Sequence, residues 1–294
     1  MAGSEAQVAP IEIRQLFHRE EFEDVVALQK TIWSFADAEL LPLRFLVVVS
    51  NVGGHVFGAY DGPRMIGFCF AIPGIKPDGR PYLHSHMLGV LPEYRNAQIG
   101  RRLKLHQRDD ALARGIALIE WTFDPLELKN AYLNIEKLGA IVRVYKENQY
   151  GTTSSPLHGG LPTDRCIAEW WLDSPRVHSI LVGQALSPAS PILDPALAGG
   201  VPSGSACPTG RIAYPIDIDA IRRQDTARAR AIQQANARLF LDAFERGLAV
   251  TGFERTAAEG TYLLEPCNET RPRHPAPDPH AAGALLRDQL FPHL

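Results

Sequence analysis

The stretch VLPEYRNAQIGRRLKLHQRDD, Val90 to Asp110, decides how the chain is read. It leaves an apolar strand end, turns through Pro92 and Arg95, and enters a helix loaded with Arg and Lys. A helix start carries unpaired N–H groups and the positive end of the dipole, so it suits a phosphate. Arg95, Arg101, Arg102 and Lys104 are read as surrounding that end. Cations there oppose the dipole, so either the sequence tolerates a small cost or an anion is held. Gly100 lets a ligand approach the backbone closely. The competing reading is an ordinary solvated basic helix face.

Working outward, the flanks read as an alternation of strands and helices. IEIRQLF, from Ile11, alternates as a strand, and REEFEDVVALQKTIW follows as a helix with acids in its first turn. LPLRFLVVVSN is ambiguous: its β-branched run suits a strand, while Pro42 suits a first helical turn. HVFGAYDGPRMIGFCFAI reads as a hairpin, with Asp-Gly supplying the positive φ angles of a tight turn. YLHSHMLGV, Tyr82 to Val90, is a strand, and the basic helix runs from about Gln98 to Arg114, ended by Gly115. ALIEWTF alternates, with Ile119, Trp121 and Phe123 on one side and Leu118, Glu120 and Thr122 on the other. LELKNAYLNIEKLG is helical, and AIVRVYKENQY and CIAEWWL are strands. After Trp171 a Pro/Gly/Ser/Ala-rich stretch, 185–208, reads as a linker. RIAYPIDI then forms a strand. A long helix from about Ile221 to Arg246 carries an apolar stripe of Ile232, Ala235, Leu239 and Ala243. Two short strands and a loose Pro- and His-rich tail close the chain.

Composition narrows the class. Of 294 residues, 45% are hydrophobic and 21% charged, as in a globular protein with a sizeable core. Thirty Lys and Arg against 33 Asp and Glu give a net charge of −3, which argues against a general nucleic-acid binder. Cys69, Cys166, Cys207 and Cys267 lack metal-ligand spacing, and reduced thiols in a cytosol are expected. No stretch approaches the ~18 apolar residues of a membrane helix, and the N-terminus lacks the apolar core of a signal peptide. A cytoplasmic protein with no metal, no nucleic-acid partner and no membrane partner is expected.

VLPEYRNAQIGRRL resembles the acyl-CoA-binding segment of the GNAT superfamily of N-acyltransferases. That pattern is Arg or Gln, two residues, Gly, one residue, then Gly or Ala; here Arg95 takes the first place and Gly100 the last. Gln98 stands where the family usually has the inner glycine, and a Gln there implies an ordinary backbone conformation. NAYLNIEKLGA, Asn130 to Ala140, resembles the second family block. YLHSHMLGV, WTFDPL and PTDRCIAEWWL resemble a less-studied subgroup, and the likeness covers about residues 11 to 172.

The resemblance implies an α/β (α+β) fold: a mixed, mostly antiparallel central sheet flanked by helices. Residues 1–172 would be the acyl-CoA-binding domain, 173–267 a C-terminal α+β extension and 268–294 a flexible tail. It implies that the strand ending at Val90 splays from its neighbour at WTF, with the pantetheine arm bonding to backbone at Leu88, Gly89 and Val90. The amides of Asn96, Ala97, Gln98, Ile99, Gly100 and Arg101 would cradle the pyrophosphate beside Arg95, and Asn130 would bond to the CoA arm.

His84, with His86 two residues on and facing the same side, would take the amine's proton, since imidazole titrates near neutral pH; core histidines bonded to carbonyls are the alternative. The tyrosine that often protonates the thiolate would stand four positions before Gly139, where this chain has Ile135, so no acid is named. His106 is read as structural. Asp124 is a strand-end cap or touches the acceptor. Trp33 and Phe35 line the acceptor pocket or pack the first helix. Asp164 and Arg165 suit a subgroup motif or a buried ion pair. The implied reaction is acyl transfer, acetyl by default, from acyl-CoA to a small-molecule amine such as an amino acid. Alternatives are succinyl-CoA-dependent amino-acid N-succinylation and a non-catalytic acyl-CoA sensor. A homodimer is a further expectation.

Overall fold

The structure is a computed structural model describing residues 10–151, 159–185 and 209–267. One ten-stranded sheet runs in the order β1-β2-β3-β4-β5-β7-β6-β9-β10-β8. In the first half, β1 (Glu12–Gln15) pairs with β2 (His55–Asp61), which forms the expected hairpin with β3 (Arg64–Ile75). Gly62 supplies the turn's left-handed residue at φ 57°. β3 pairs antiparallel with β4 (Pro81–Val90), and β5 (Leu118–Phe123) is the parallel neighbour on the other side of β4.

Helix α1 (Arg19–Trp33) begins where Glu21 reaches back to accept from the His18 amide at 2.9 Å, and it buries Phe22, Val25, Leu28 and Ile32. The ambiguous LRFLVVVSN is a helix, α2 (Leu43–Asn51). Leu46 and Val49 are buried while Val48 is exposed, a spacing that only a helix presents to the sheet. α1 and α2 lie on one face of the sheet, where Trp33 meets Phe68 edge-on and Phe45 meets Phe70. α3 (Ile99–Ala113) lies on the other, with the Cys69 thiol donating to the Leu103 carbonyl.

The second half continues the same sheet. β7 (Arg165–Trp171) inserts between β5 and β6 (Ile141–Lys146), and β6 meets β9 (Leu248–Arg255) at Val142 opposite Val250. β10 (Glu259–Pro266) and the edge strand β8 (Gly210–Pro215) complete it. α4 (Leu128–Tyr132) widens into a π-helical turn over Leu133–Lys137. Leu128, Ile135, Tyr145, Trp170, Phe240 and Tyr262 share one core, so residues beyond 172 pack into the first half.

Two expectations are corrected in this region. α5 (Pro175–Ala185) occupies a stretch where no element was foreseen. The long helix is two: α6 (Ile218–Gln224) and α7 (Thr226–Glu245), broken at Asp225, whose φ is −143° and whose carboxylate caps α7 by accepting from the Arg228 amide. The buried stripe of α7 is correspondingly Ala229, Gln233, Asn236, Ala237, Phe240 and Ala243, while Leu239 is exposed. The 186–208 linker, Cys207 and the tail from 268 lie outside the described residues.

Candidate functional site

β4 and β5 share two rungs, Leu83 opposite Ile119 and His84 opposite Glu120, and no more. Beyond them Ser85–Val90 and Trp121–Phe123 run on without a mutual ladder. The cause is visible in β4. Its pairing with β3 slips between Phe70 opposite Met87 and Ala71 opposite Ser85, which leaves His86 as the extra residue of a bulge. A bulge bends the strand that carries it, and β4 bends away from β5 there. Leu88, Gly89 and Val90 stay paired to Cys69, Phe68 and Gly67, so only one edge of this segment is free. Gly89 has a second requirement: a Cβ there would lie 2.8 Å from both Ile32 and Trp33. Trp33, stacked on Phe35, thus sets the edge of its ring against Gly89 beside the gap.

At the far end of β4 the chain turns into α3. Asn96 and Gln98 both adopt left-handed conformations, φ 70° and φ 58°. Gln98 is the N-cap and supplies no side-chain cap. The ordinary conformation expected for Gln98 is therefore wrong. The turn needs the shape a glycine would adopt freely, and Gln takes it at a cost of about 1 kcal/mol. The first bond of the helix runs from the Arg102 amide to the Gln98 carbonyl, so the amides of Ile99, Gly100 and Arg101 stand ahead of the ladder. Arg101 is half-buried, and its Nε is buried without a partner among the described residues; burial lowers its pKa. An uncapped helix start beside a guanidinium whose Nε has no partner among the described residues fits an anionic group such as a diphosphate. Arg95, Asn96, Ala97 and Gln98 are exposed around it.

The basic cluster read from the sequence is smaller than expected. Arg102 turns away and donates to the Ile11 carbonyl at 2.7 Å. Lys104 is buried, 2% exposed, on the inward face of α3. The ~100° step per residue turns Arg102 off the face of Arg101, and Lys104 falls with Leu103, Gln107 and Ala111 on the buried stripe of α3.

On the α1/α2 face, the His84 and His86 rings lie 6.0 Å apart. Burial, then His86, Lys104 and Lys76, push the His84 pKa down to about 4; burial lowers His86 as well. Both imidazoles are therefore uncharged at neutral pH and weaker bases than an ordinary histidine. Glu120, opposite His84 on the last rung, is pushed above the usual carboxylate range by burial, with Lys76, its ion-pair partner, opposing. Thr122, two residues on, pairs its hydroxyl with that of Tyr150 at 2.9 Å. His84, His86, Glu120 and Thr122 thus line the fork of the gap. Nothing in the sequence singles out Glu120, and Tyr150 is a candidate acid there only by residue type. The alternation of β5 already put Glu120 and Thr122 on one side, but only the register brings that side next to His84.

The remaining expected positions are more dispersed. Asn130 is exposed in α4. Asp124 caps the end of β5 by accepting from the Leu126 amide at 2.9 Å, and it lies 3.6 Å from Arg222 and 4.0 Å from Arg165. Asp164 and Arg165 do not pair through their side chains. The Asp164 carboxylate accepts from the Tyr145 hydroxyl and the Asn148 amide, and Arg165 donates to the Asp164 carbonyl. His106 bonds to the Arg102 carbonyl at 3.0 Å, as a structural residue does. No group of three or more His, Cys, Asp and Glu is placed to hold a metal among the described residues. No helix among them is long and apolar enough to cross a membrane.

Residues 12–139 match the model of the Acetyltransferase (GNAT) family. They are a GNAT acetyltransferase domain. The domain carries the enzyme class, CoA-dependent N-acetyl transfer, and the sheet flanked by helices is the GNAT fold. No curated protein matches the chain. Among solved structures, the ribosomal-protein-S18-alanine N-acetyltransferase of Escherichia coli is 20% identical, covering 56% of this chain and 96% of its own, with a TM-score of 0.43. Naa50 of Arabidopsis thaliana, in complex with the bisubstrate analogue CoA-Ac-MVNAL, is 16% identical, covering 54% and 97%, at 0.43. A GNAT acetyltransferase of Streptococcus pneumoniae is 14% identical, covering 54% and 98%, at 0.44. Within the GNAT domain, the parted strands, the bulge and the start of α3 all fall inside the matched residues, whereas β6, β7 and everything from α5 onward lie outside it.

Proposed function

We propose that the chain transfers an acyl group, acetyl by default, from acyl-CoA to the amine of a small molecule, an amino acid being the favoured class. The observation that carries this reading is the end of the β4–β5 ladder at His84 and Glu120, beside a helix start with no side-chain cap. In this reading the amides of Asn96 to Arg101, with Arg95, hold the diphosphate. The pantetheine arm lies in the gap and bonds to the free edge of Leu88, Gly89 and Val90, and Asn130 meets it from α4. A β4 amide donates to the thioester oxygen, a donor that counts most as charge develops. The acceptor amine sits on the α1/α2 face near Trp33 and Phe35, with Asp124 at the far end of β5. Either His84, assisted by His86, or Glu120 removes its proton. The site forms no covalent enzyme intermediate; holding both substrates together lowers the entropic barrier. Residues 1–172 bind the acyl-CoA, and 173–267 complete the fold. The buried free thiols at Cys69 and Cys166 suit a cytoplasmic setting.

The test is thiol release from acetyl-CoA and from succinyl-CoA across a panel of amines that includes amino acids. Release that depends on an amine supports the reading, and the preferred thioester decides between acetyl and succinyl. CoA binding without release from any pair contradicts it.

A further inference from the structure

Lys104 is a cation where the fold calls for an apolar side chain. It lies on the inner stripe of α3 with Leu103 and Ala111, and its Nζ donates to the Ser85 hydroxyl at 2.7 Å. The same Nζ sits 3.7 Å from the centre of the Trp121 ring. Ser85 in turn donates to Gln107 Oε1 at 3.0 Å. No carboxylate pairs with Lys104 among the described residues; Asp110, on the same helix, is held by His55 and Arg114. A buried charge without a counter-ion is costly, and burial accordingly brings the Lys104 pKa down to about 7.

Its position gives the cost a use. Ser85 is the first residue of β4 past the last rung with β5, and Trp121 is the first residue of β5 past it. The ammonium therefore touches both strands at the fork, from the α3 side, while His84 and Glu120 flank the fork from the other face. We propose that Lys104 is the cation that stabilises the departing CoA thiolate in the gap between β4 and β5. This rests on the acyl-transfer reading above. The acceptor nitrogen forms its bond to the acyl carbon and gives its proton to His84 or Glu120. The carbon–sulfur bond breaks with its electron pair going to sulfur, and the Lys104 ammonium faces the negative charge left there. One proton gained by the base and one negative charge left on sulfur balance the step.

The groups around Lys104 leave that role open to it. The Cys69 thiol of β3 is pushed up to about 12 by burial and stays uncharged. Ser85 of β4, Trp121 of β5 and Gln107 of α3 are neutral, and His84 of β4 and His55 of β2, which both feel the Lys104 charge, are lowered chiefly by their own burial. Among the described residues no carboxylate pairs with the ammonium before an anion arrives.

The experiment titrates the thiol of CoA bound to the full chain by its thiolate ultraviolet absorbance, in the wild type, Lys104→Met and Lys104→Gln. Affinity for desulfo-CoA and the far-ultraviolet circular dichroism serve as controls. The wild type is expected to lower the thiol midpoint below that of free CoA. Both variants are expected to raise it by about one pH unit, a tenfold loss of thiolate, with desulfo-CoA affinity unchanged. The Gln variant keeps a hydrogen bond to Ser85 and removes only the charge, so it also covers the case in which Met disturbs packing. An identical midpoint in wild type and folded variants, with CoA bound, overturns the Lys104 proposal and leaves the acyl-CoA reading standing. Failure of the wild type to bind CoA at all overturns both.

Discussion

The two edges of β5 behave differently. Toward β7 the strand is fastened over all six of its residues, from Leu118 opposite Trp171 to Phe123 opposite Cys166. Toward β4 it is fastened at two rungs and then released. The same six residues therefore sustain a full ladder and an open gap at once, so the gap is not a weakness of β5. It is imposed from β4, by the bulge at His86. The fastened edge leads into the large core shared with α7, β9 and β10. That core gives the open edge something rigid to stand against.

The comparison can be broken from the open side first. Glu120→Gln and His84→Gln each remove one candidate base at the fork. The variant lacking the true base is expected to lose about 10²- to 10⁴-fold in kcat while its KM for acyl-CoA stays within a few-fold, as steady-state kinetics would show. The wild-type profile sharpens the choice. A base must be deprotonated to work, so activity falls as pH drops through its pKa. An acidic limb near pH 4 marks His84, and a limb clearly above the ordinary carboxylate range marks Glu120.

From the fastened side, Arg222→Ala strikes the buried charges that join α6 to the end of β5. Arg222 pairs with Glu127 at 2.9 Å and Asp219 at 2.8 Å and lies 3.6 Å from Asp124. Removing it leaves the buried Asp124 carboxylate with Arg165 alone, 4.0 Å away, and is expected to destabilise the chain by about 1–3 kcal/mol in denaturant unfolding. A change under about 1 kcal/mol would mean that the two halves do not depend on each other there.

The smallest effect is expected at the turn into α3. Gln98→Gly relieves a left-handed non-glycine residue and is expected to be neutral or to stabilise by up to about 1 kcal/mol, with CoA affinity retained. A clear loss of affinity would show that the Gln98 side chain, not the turn's shape, is what matters. Lys104→Met adds a pH signature to the same helix. A lysine held near pH 7 in the fold and at its ordinary value when unfolded makes the native state bind fewer protons between those values. Wild-type stability therefore rises relative to the variant from about pH 7 toward 10.5, which thermal melts across that range would register.

Much of the fold was legible because strands and helices write their period locally. The alternation of ALIEWTF assigned the two faces of β5 correctly, and the hairpin at Gly62 was announced by its turn residues. What was not legible depended on partners far away in sequence. The bulge at His86 exists only in register with Phe70 and Ala71, so His84 could not be placed against Glu120 beforehand. Lys104 looked like one more surface cation beside Arg101 and Arg102. Its spacing with Gln107 and Ala111 was the available sign that it faces inward. The break before α7 had a sign as well: Asp225 ahead of Thr226 is a helix cap, overlooked inside a continuous helical pattern. Gln98 gave none, because only the backbone reveals that a glutamine has taken a glycine's conformation.

The most direct test of the account is amide hydrogen exchange on the full chain with and without desulfo-CoA. It predicts new protection in two segments together, the free edge of Ser85–Val90 and the start of α3 from Asn96 to Arg101, with the β5–β7 ladder unchanged. Protection in neither segment under saturating ligand, or only at sites away from the gap, would contradict it.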